Sequence, residues 1–171
     1  MQTTVVSSWN DFDPLKHAIV GRADFTCIPP SELATEAKIP DDSDMRGMWG
    51  PRPLRTIEQA NQQLDQLVGI LEGRGIRVDR PEPIQWNQAA ITPDFTTGSM
   101  FGCMPPRDVL LTVGKEILSA PMSFRCRYWE YLAYHSLMQR YFDEDPGFRW
   151  EQAPRPRLTD DAYQAGYFDE I

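Results

Sequence analysis

The clearest pattern along the chain is a pair of short apolar runs on either side of a glycine. Residues 109–113 are β-branched or aliphatic, Gly114 is a turn residue, and residues 116–118 begin a return run that ends before Pro121. Alternating or continuous apolar runs of this length, separated by a turn residue, are typical of paired strands. The pattern therefore predicts a β-hairpin.

Two longer segments carry apolar residues at helical spacing. The first covers residues 56–72, with Thr56 predicted as its N-cap and Gly73 or Gly75 as its end. Its apolar positions are Ile57, Ala60, Leu64, Leu67, Val68 and Leu71. The second helix is predicted over residues 122–142, with Ser123 as its cap. Its apolar positions are Tyr128, Trp129, Leu132, Leu137 and Tyr141, an aromatic stripe typical of a packed core.

Shorter apolar runs predict strands at residues 15–20, 76–78 and 148–150. Strands and helices therefore alternate, and this order predicts a mixed α/β fold. Residues 24–53 are rich in Pro, Gly, Asp and Ser and show no hydrophobic period. We predict a long irregular excursion over the surface there, which is either a lid or a loop without a role.

Composition and charge narrow the class of protein. The 171 residues suffice for one domain with a core, and 41% hydrophobic with 25% charged residues is ordinary for a soluble protein. A formal net charge of −8 disfavours nucleic acid and anionic membrane as partners, and is compatible with a cationic substrate. The chain has no apolar run of about eighteen residues and no signal-peptide pattern, so we expect a cytoplasmic protein.

The residue types that most often carry chemistry are few. Cys27, Cys103 and Cys126 are widely spaced, which gives neither a disulfide framework nor a zinc-ligand spacing, and we expect reduced thiols. His17 lies in a predicted strand and His135 in a predicted helix, where packed or surface histidines are commoner than catalytic bases. No metal or cofactor site is predicted.

Two aspartates stand beside predicted strands or turns. Asp108 directly precedes the hairpin, and the proline pair at 105–106 keeps the incoming chain extended, which places this carboxylate at the mouth of a strand. The alternative is a structural role, as a turn residue or as the ion-pair partner of Arg107. Asp94 follows Pro93, and a turn is the favoured interpretation there.

Eight blocks of the sequence, in order and spacing, resemble the glycine amidinotransferase family, whose members move the amidino group of arginine onto an amine. The blocks are residues 9–15, 19–23, 80–84, 92–95, 106–108, 113–117, 124–131 and 153–156. They run from end to end of the chain. The likeness is greatest to cyanobacterial members that make guanidinoacetate for toxin biosynthesis, as in the cylindrospermopsin pathway.

The resemblance implies a fold and a substrate. The expected fold is an incomplete part of a five-bladed α/β propeller of repeated strand-helix-strand units, with residues 1–171 as a single N-terminal portion of the domain. The expected substrates are L-arginine and glycine or another amine, and the full-length form is expected to be a homo-oligomer. Asp108 matches the family's substrate carboxylate, which would hold the guanidinium by charge-assisted hydrogen bonds.

The resemblance also implies which groups this chain lacks. The family's nucleophilic cysteine, its general-base histidine and the carboxylate that orients the histidine lie in later motifs, so no catalytic residue is assigned here. We expect the isolated chain to be inactive. The alternative is a truncated, non-catalytic module that binds arginine or associates with a full-length relative.

Overall fold

Short strands and α-helices are interspersed along residues 4–36, 39–44 and 46–163, the part of the chain that the computed structural model describes. The strands are β1 His17–Ile19, β2 Cys27–Ile28, β3 Gly50–Pro51, β4 Arg77–Asp79, β5 Ala90–Ile91, β6 Thr96–Thr97, β7 Leu110–Val113, β8 Glu116–Ser119 and β9 Arg149–Gln152. The α-helices are α1 Leu33–Glu36, α2 Leu54–Glu72, α3 Pro106–Val109 and α4 His135–Glu144. The mixed α/β class is confirmed.

The predicted hairpin forms most of a three-stranded sheet. Strands β7 and β8 pair antiparallel, and Gly114 turns the chain between them with φ of +58°, a conformation that L side chains rarely adopt. Strand β9 joins the other edge of β8 in parallel. The last short run of the sequence, predicted over residues 148–150, is therefore a strand that completes this sheet.

A strand-helix-strand unit precedes the sheet. Strands β1 and β4 pair in parallel, with His17 opposite Arg77, and α2 lies between them along the chain. The prediction of Thr56 as N-cap was wrong: α2 begins at Leu54 after Pro53, and the Thr56 amide donates to the Pro53 carbonyl at 2.9 Å. Because Pro53 fixes its own φ, it can lead into a helix without a side-chain cap.

The stretch 24–53 contains short elements that the sequence pattern did not reveal. Strands β2 and β3 pair antiparallel, and α1 lies between them along the chain. Cys27 is fully buried, and its amide donates to the Phe101 carbonyl at 2.8 Å. An isolated apolar pair such as 27–28 shows no period, so only the tertiary contacts identify it as a strand.

The second long helix predicted over residues 122–142 was wrong in its first half. The 3₁₀ turns Arg125–Arg127 and Glu130–Tyr134 come first, and the α-helix begins only at His135. Trp129, at φ −103° and ψ 10°, separates the turns. The spacing i, i+3 occurs in both helix types, so the apolar pattern could not distinguish them.

The core lies between the sheet, the 3₁₀ turns and α4. Its largest fully buried side chains include Trp86, Ile117, Tyr134, Met138 and Tyr141. Of the predicted stripe, Leu137 and Tyr141 are buried and Trp129 is partly buried against the core, whereas Leu132 is 40% exposed, so the stripe was predicted as core correctly only in part. In the described ranges, no helix is both long enough and apolar enough to cross a membrane.

Candidate substrate site around Asp108

Asp108 lies in α3, a single helical turn, rather than on an extended chain at the mouth of a strand. Pro106 occupies the first turn of α3, and the Leu110 amide donates back to the Pro106 carbonyl as β7 begins. The prediction of extended backbone at the proline pair was therefore wrong at Pro106. A proline is suited to the first turn of a helix, because its fixed φ is helical and its missing N–H has no partner there anyway.

The side chain of Asp108 pairs with an arginine nineteen residues later in the sequence. Its Oδ2 atom accepts a hydrogen bond from Arg127 Nη1 at 2.9 Å, and 41% of the side chain is exposed. The ion-pair alternative raised from the sequence named Arg107, and the structure gives this contact to Arg127 instead.

Arg127 also forms an ion pair with Glu130, a buried glutamate on the side of the guanidinium away from Asp108. Glu130 Oε2 accepts from Arg127 Nε at 2.5 Å, and Glu130 Oε1 accepts from Nη2 at 3.0 Å, so the pair is bidentate. The side chains are 13% and 1% exposed. Burial raises the pKa of Glu130 to about 7, although the Arg127 guanidinium acts in the opposite direction.

The sequence prediction missed Arg127 and Glu130 as members of this site. The available signal was their opposite charge at spacing i, i+3 within one of the eight blocks. The predicted long helix placed both residues on faces other than the apolar one, and in the structure Arg127 ends the first 3₁₀ turn and Glu130 begins the second.

These three side chains carry one positive and two negative charges when all are ionised. The excess negative charge is accessible to solvent at Asp108, because Arg127 and Glu130 are largely buried. Within the described residues, Asp108 Oδ1 accepts no hydrogen bond. A partly exposed carboxylate with a free oxygen can accept hydrogen bonds from a cationic donor such as a guanidinium or an ammonium group.

Asp94 has structural contacts. Its amide and that of Phe95 donate to the Thr92 hydroxyl at 3.2 and 3.0 Å, which makes a turn. Its carboxylate accepts from Arg157 Nε at 2.8 Å and also from Nη2 of the same arginine. The structure thus gives Asp94 a turn and an exposed ion pair.

His17 is half-buried and His135 is exposed, and each ring contacts another side chain. His17 Nε2 is 2.7 Å from Asp79 Oδ2, and the Tyr141 hydroxyl donates to the same oxygen at 2.9 Å. The ring of His135 packs edge-on against Trp150 with centroids 5.5 Å apart.

The three cysteines are free and buried. Burial raises the pKa of the Cys103 and Cys126 thiols to about 12, and it also raises the pKa of Cys27. A nucleophilic thiol requires the opposite shift together with access to substrate. These three residues are therefore poor nucleophiles in this structure.

Two clefts open near this region. The larger, about 470 Å³, is lined by Arg127, Arg52, Phe101 and Phe124 among others, and the smaller, about 410 Å³, is lined by Glu32 and Arg125 among others. Asp108 lines neither of these two clefts. Among the described residues, no group of three or more His, Cys, Asp or Glu side chains is placed to hold a metal ion.

Comparison with known proteins identifies the relatives of this chain. The mitochondrial glycine amidinotransferase of Gallus gallus is 36% identical over 170 residues, and the L-arginine:L-lysine amidinotransferase of Pseudomonas savastanoi pv. phaseolicola is 37% identical over 173 residues. These matches cover 95% and 99% of this chain. The chain is an amidinotransferase homologue.

Solved structures give the same result for the fold. The inosamine-phosphate amidinotransferase StrB1 of Streptomyces griseus matches with a TM-score of 0.84 at 37% identity, and SxtG, an amidinotransferase of the saxitoxin pathway of Microseira wollei, with 0.83 at 34%. Each match covers 95% of this chain. The predicted amidinotransferase-type α/β fold is thus confirmed over the part that the chain represents. No protein-family model matches the chain.

This amidinotransferase homologue spans less than half the length of its relatives. It covers 38% of the Gallus gallus protein, 47% of the Pseudomonas protein and 45 to 47% of the two solved chains.

Proposed function

We propose that this chain is part of an amidinotransferase that transfers the amidino group of L-arginine to glycine, giving guanidinoacetate and ornithine in cyanobacterial toxin biosynthesis. Within it, Asp108 binds the guanidinium of arginine. The supporting observation is the partly exposed Asp108 carboxylate, which already accepts one guanidinium N–H from Arg127 and keeps its second oxygen available.

Charge and geometry favour a guanidinium at this position. A guanidinium presents several N–H donors in one plane, and a carboxylate oxygen can accept more than one of them. The ion pair with Arg127 fixes the orientation of the Asp108 carboxylate before a ligand arrives, which reduces the side-chain entropy lost on binding.

The open surroundings of Asp108 also fit a shared site. The side chain is 41% exposed, and the relatives are more than twice as long as this chain. In our proposal, the remaining part of an amidinotransferase encloses the substrate and supplies the nucleophile and base. Glycine as acceptor is the more specific part of the proposal, because the names of the relatives include both glycine and L-lysine enzymes.

A ligand comparison tests the role of Asp108. We would titrate the ¹⁵N-labelled chain with L-arginine and, separately, with L-ornithine, which carries an ammonium group in place of the guanidinium. We expect amide shifts centred on α3 and the 3₁₀ turn at Arg125–Arg127, with weaker binding of ornithine because it offers fewer donors. Shifts that spare Asp108, or equal affinity for the two amino acids, would contradict a guanidinium site.

A second candidate function is a non-catalytic module that binds arginine or joins a full-length relative. The observation that favours it is the burial of all three cysteines, which leaves no accessible thiol nucleophile in the described part of the chain. Arginine binding without turnover, together with co-elution with a full-length amidinotransferase, would support this alternative.

A further inference from the structure

The guanidinium of Arg127 lies between two carboxylates, one buried and one exposed. We propose that Glu130 is a positioning residue for the Asp108 site: its ionised carboxylate occupies Arg127 and so leaves the charge of Asp108 available to a cationic group of the substrate. This inference rests on the proposed function, since it concerns the affinity of the same site.

The Arg127 guanidinium donates more hydrogen bonds to Glu130 than to Asp108. Glu130 accepts from Nε and Nη2 of Arg127, whereas Asp108 accepts only from Nη1. The two bonds to Glu130 fix the plane of the guanidinium, and its central carbon lies 5.4 Å from the centroid of the Phe101 ring. Arg127 is therefore held in place independently of Asp108.

The net charge of the site depends on the proton occupancy of Glu130. With Glu130 ionised, its negative charge balances the positive charge of Arg127, and Asp108 provides one excess negative charge. With Glu130 protonated, Asp108 is the remaining counter-charge to Arg127, and the site is neutral overall. A cationic ligand at Asp108 is thus bound more weakly after protonation.

Both states are accessible near neutral pH. Burial raises the pKa of Glu130 to about 7, so this group loses its proton as the pH rises through that value. Affinity for a cation at Asp108 should therefore increase from acidic to mildly alkaline pH.

The other groups that interact with Glu130 do not explain such a change. Besides Arg127 and Asp108, they are Cys103, Cys126 and Tyr134. Burial raises the pKa of both thiols to about 12 and also raises that of Tyr134 well above its ordinary value. These three groups stay neutral between pH 5.5 and 8.

The experiment measures L-arginine binding to the 171-residue chain from pH 5.5 to 8. We expect the Kd to fall by roughly five- to tenfold over this range, the order expected for one charge screened at short range. In Glu130→Gln, which keeps the volume but cannot ionise, the Kd should stay at the weak, acidic value throughout. A level Kd in the unmodified chain overturns the inference, even if Glu130→Gln does not fold.

A matched control removes the same charge from another bidentate pair. Glu144 accepts two hydrogen bonds from Arg77, at 2.6 and 3.0 Å, outside the Asp108 site. Glu144→Gln should keep both the affinity and its pH dependence. A loss of the pH dependence in this control would mean that overall charge, and not Glu130, is responsible.

The Asp108→Asn variant distinguishes a failure of the Glu130 role from a failure of the Asp108 site. Weaker binding in Asp108→Asn together with normal, pH-dependent binding in Glu130→Gln overturns this inference and leaves the proposed function intact. Unchanged binding in Asp108→Asn, or no arginine binding at any pH, overturns the proposed function itself.

Discussion

At the scale of single residues, the carboxylates of Asp108 and Asp79 differ in how far they are buried and in how many partners they have. Asp108 is 41% exposed and bonds one arginine, whereas Asp79 is 12% exposed and contacts several partners. An exposed ion pair contributes little to stability, because water competes for both charges. Loss of the carboxylate should therefore affect ligand binding at Asp108 and stability at Asp79.

Asp108→Asn should weaken L-arginine binding by about 1.5–3 kcal/mol, the usual contribution of a hydrogen bond to a charged group. The melting temperature should hardly change, because Asp108 is 41% exposed and Arg127 keeps its two hydrogen bonds to Glu130. Calorimetric titration and thermal unfolding measure the two quantities. Asp94→Asn, which breaks another exposed aspartate–arginine pair, is the control and should affect binding less. A lower melting temperature with unchanged affinity would show that Asp108 is only an ion-pair residue.

Asp79→Asn should lower the free energy of unfolding at pH 7. Burial of Asp79 opposes its ionised form, but hydrogen bonds from His17 and Tyr141 and two nearby arginines outweigh it and lower its pKa from 3.8 to about 2. A lowered folded-state pKa gives stability that is present above pH 4 and is lost as the pH falls towards 2. The shift corresponds to about 2 kcal/mol at pH 7.

Urea unfolding at several pH values checks this prediction. The difference between Asp79→Asn and the unmodified chain should shrink as the pH falls from 4 towards 2. Asp65→Asn is the control, because Asp65 also bonds an arginine, Arg80 at 2.6 Å, but is 67% exposed. An equal loss of stability in both variants would argue against burial as the cause.

At the scale of elements, a close approach between two loops that are distant in sequence decides which residue can occupy position 21. The loop after β1 passes close to the loop before α3, where Arg22 and Cys103 form an isolated bridge. A Cβ at Gly21 would lie 2.0 Å from the Met104 carbonyl oxygen and 2.5 Å from that of Cys103. Since these atoms are backbone, neither can move aside cheaply, and Gly21 is required by this close approach.

Gly21→Ala should therefore destabilise the fold by about 2–4 kcal/mol, in the range of steric conflicts that shift backbone. Gly69→Ala is the matched control: it lies in α2, and a Cβ there meets nothing within 4 Å. Alanine favours the helix, so this variant should be more stable by up to about 1 kcal/mol. Urea unfolding compares them. Equal stability of the two variants would mean that the loops separate at little cost.

At the scale of the whole molecule, the chain presents a folded core with an open site. It represents 38 to 47% of the length of its relatives. Apolar side chains are exposed on the hairpin, where Leu111 and Val113 are 52% and 60% exposed. In our proposal, catalysis requires groups beyond those that surround Asp108.

The purified 171-residue chain should produce no ornithine or guanidinoacetate from L-arginine and glycine. In the described residues the three thiols are buried, and their pKa values are raised, so none can attack a guanidinium carbon. Mass spectrometry of the reaction mixture measures both products, with a full-length glycine amidinotransferase as the positive control. Turnover above the protein-free blank would contradict the prediction.

The sequence by itself determined the hairpin, the helix that ends at Glu72 and the burial of Leu137 and Tyr141, because each depends on local spacing and turn residues. It also carried the likeness to amidinotransferases and singled out Asp108. Only the tertiary structure decided that Arg125–Arg127 and Glu130–Tyr134 are 3₁₀ turns and that Arg127 lies between Asp108 and Glu130. The physical reason is that side chains at spacing i, i+3 occur in both helix types, whereas the partner of a side chain depends on contacts between segments distant in sequence.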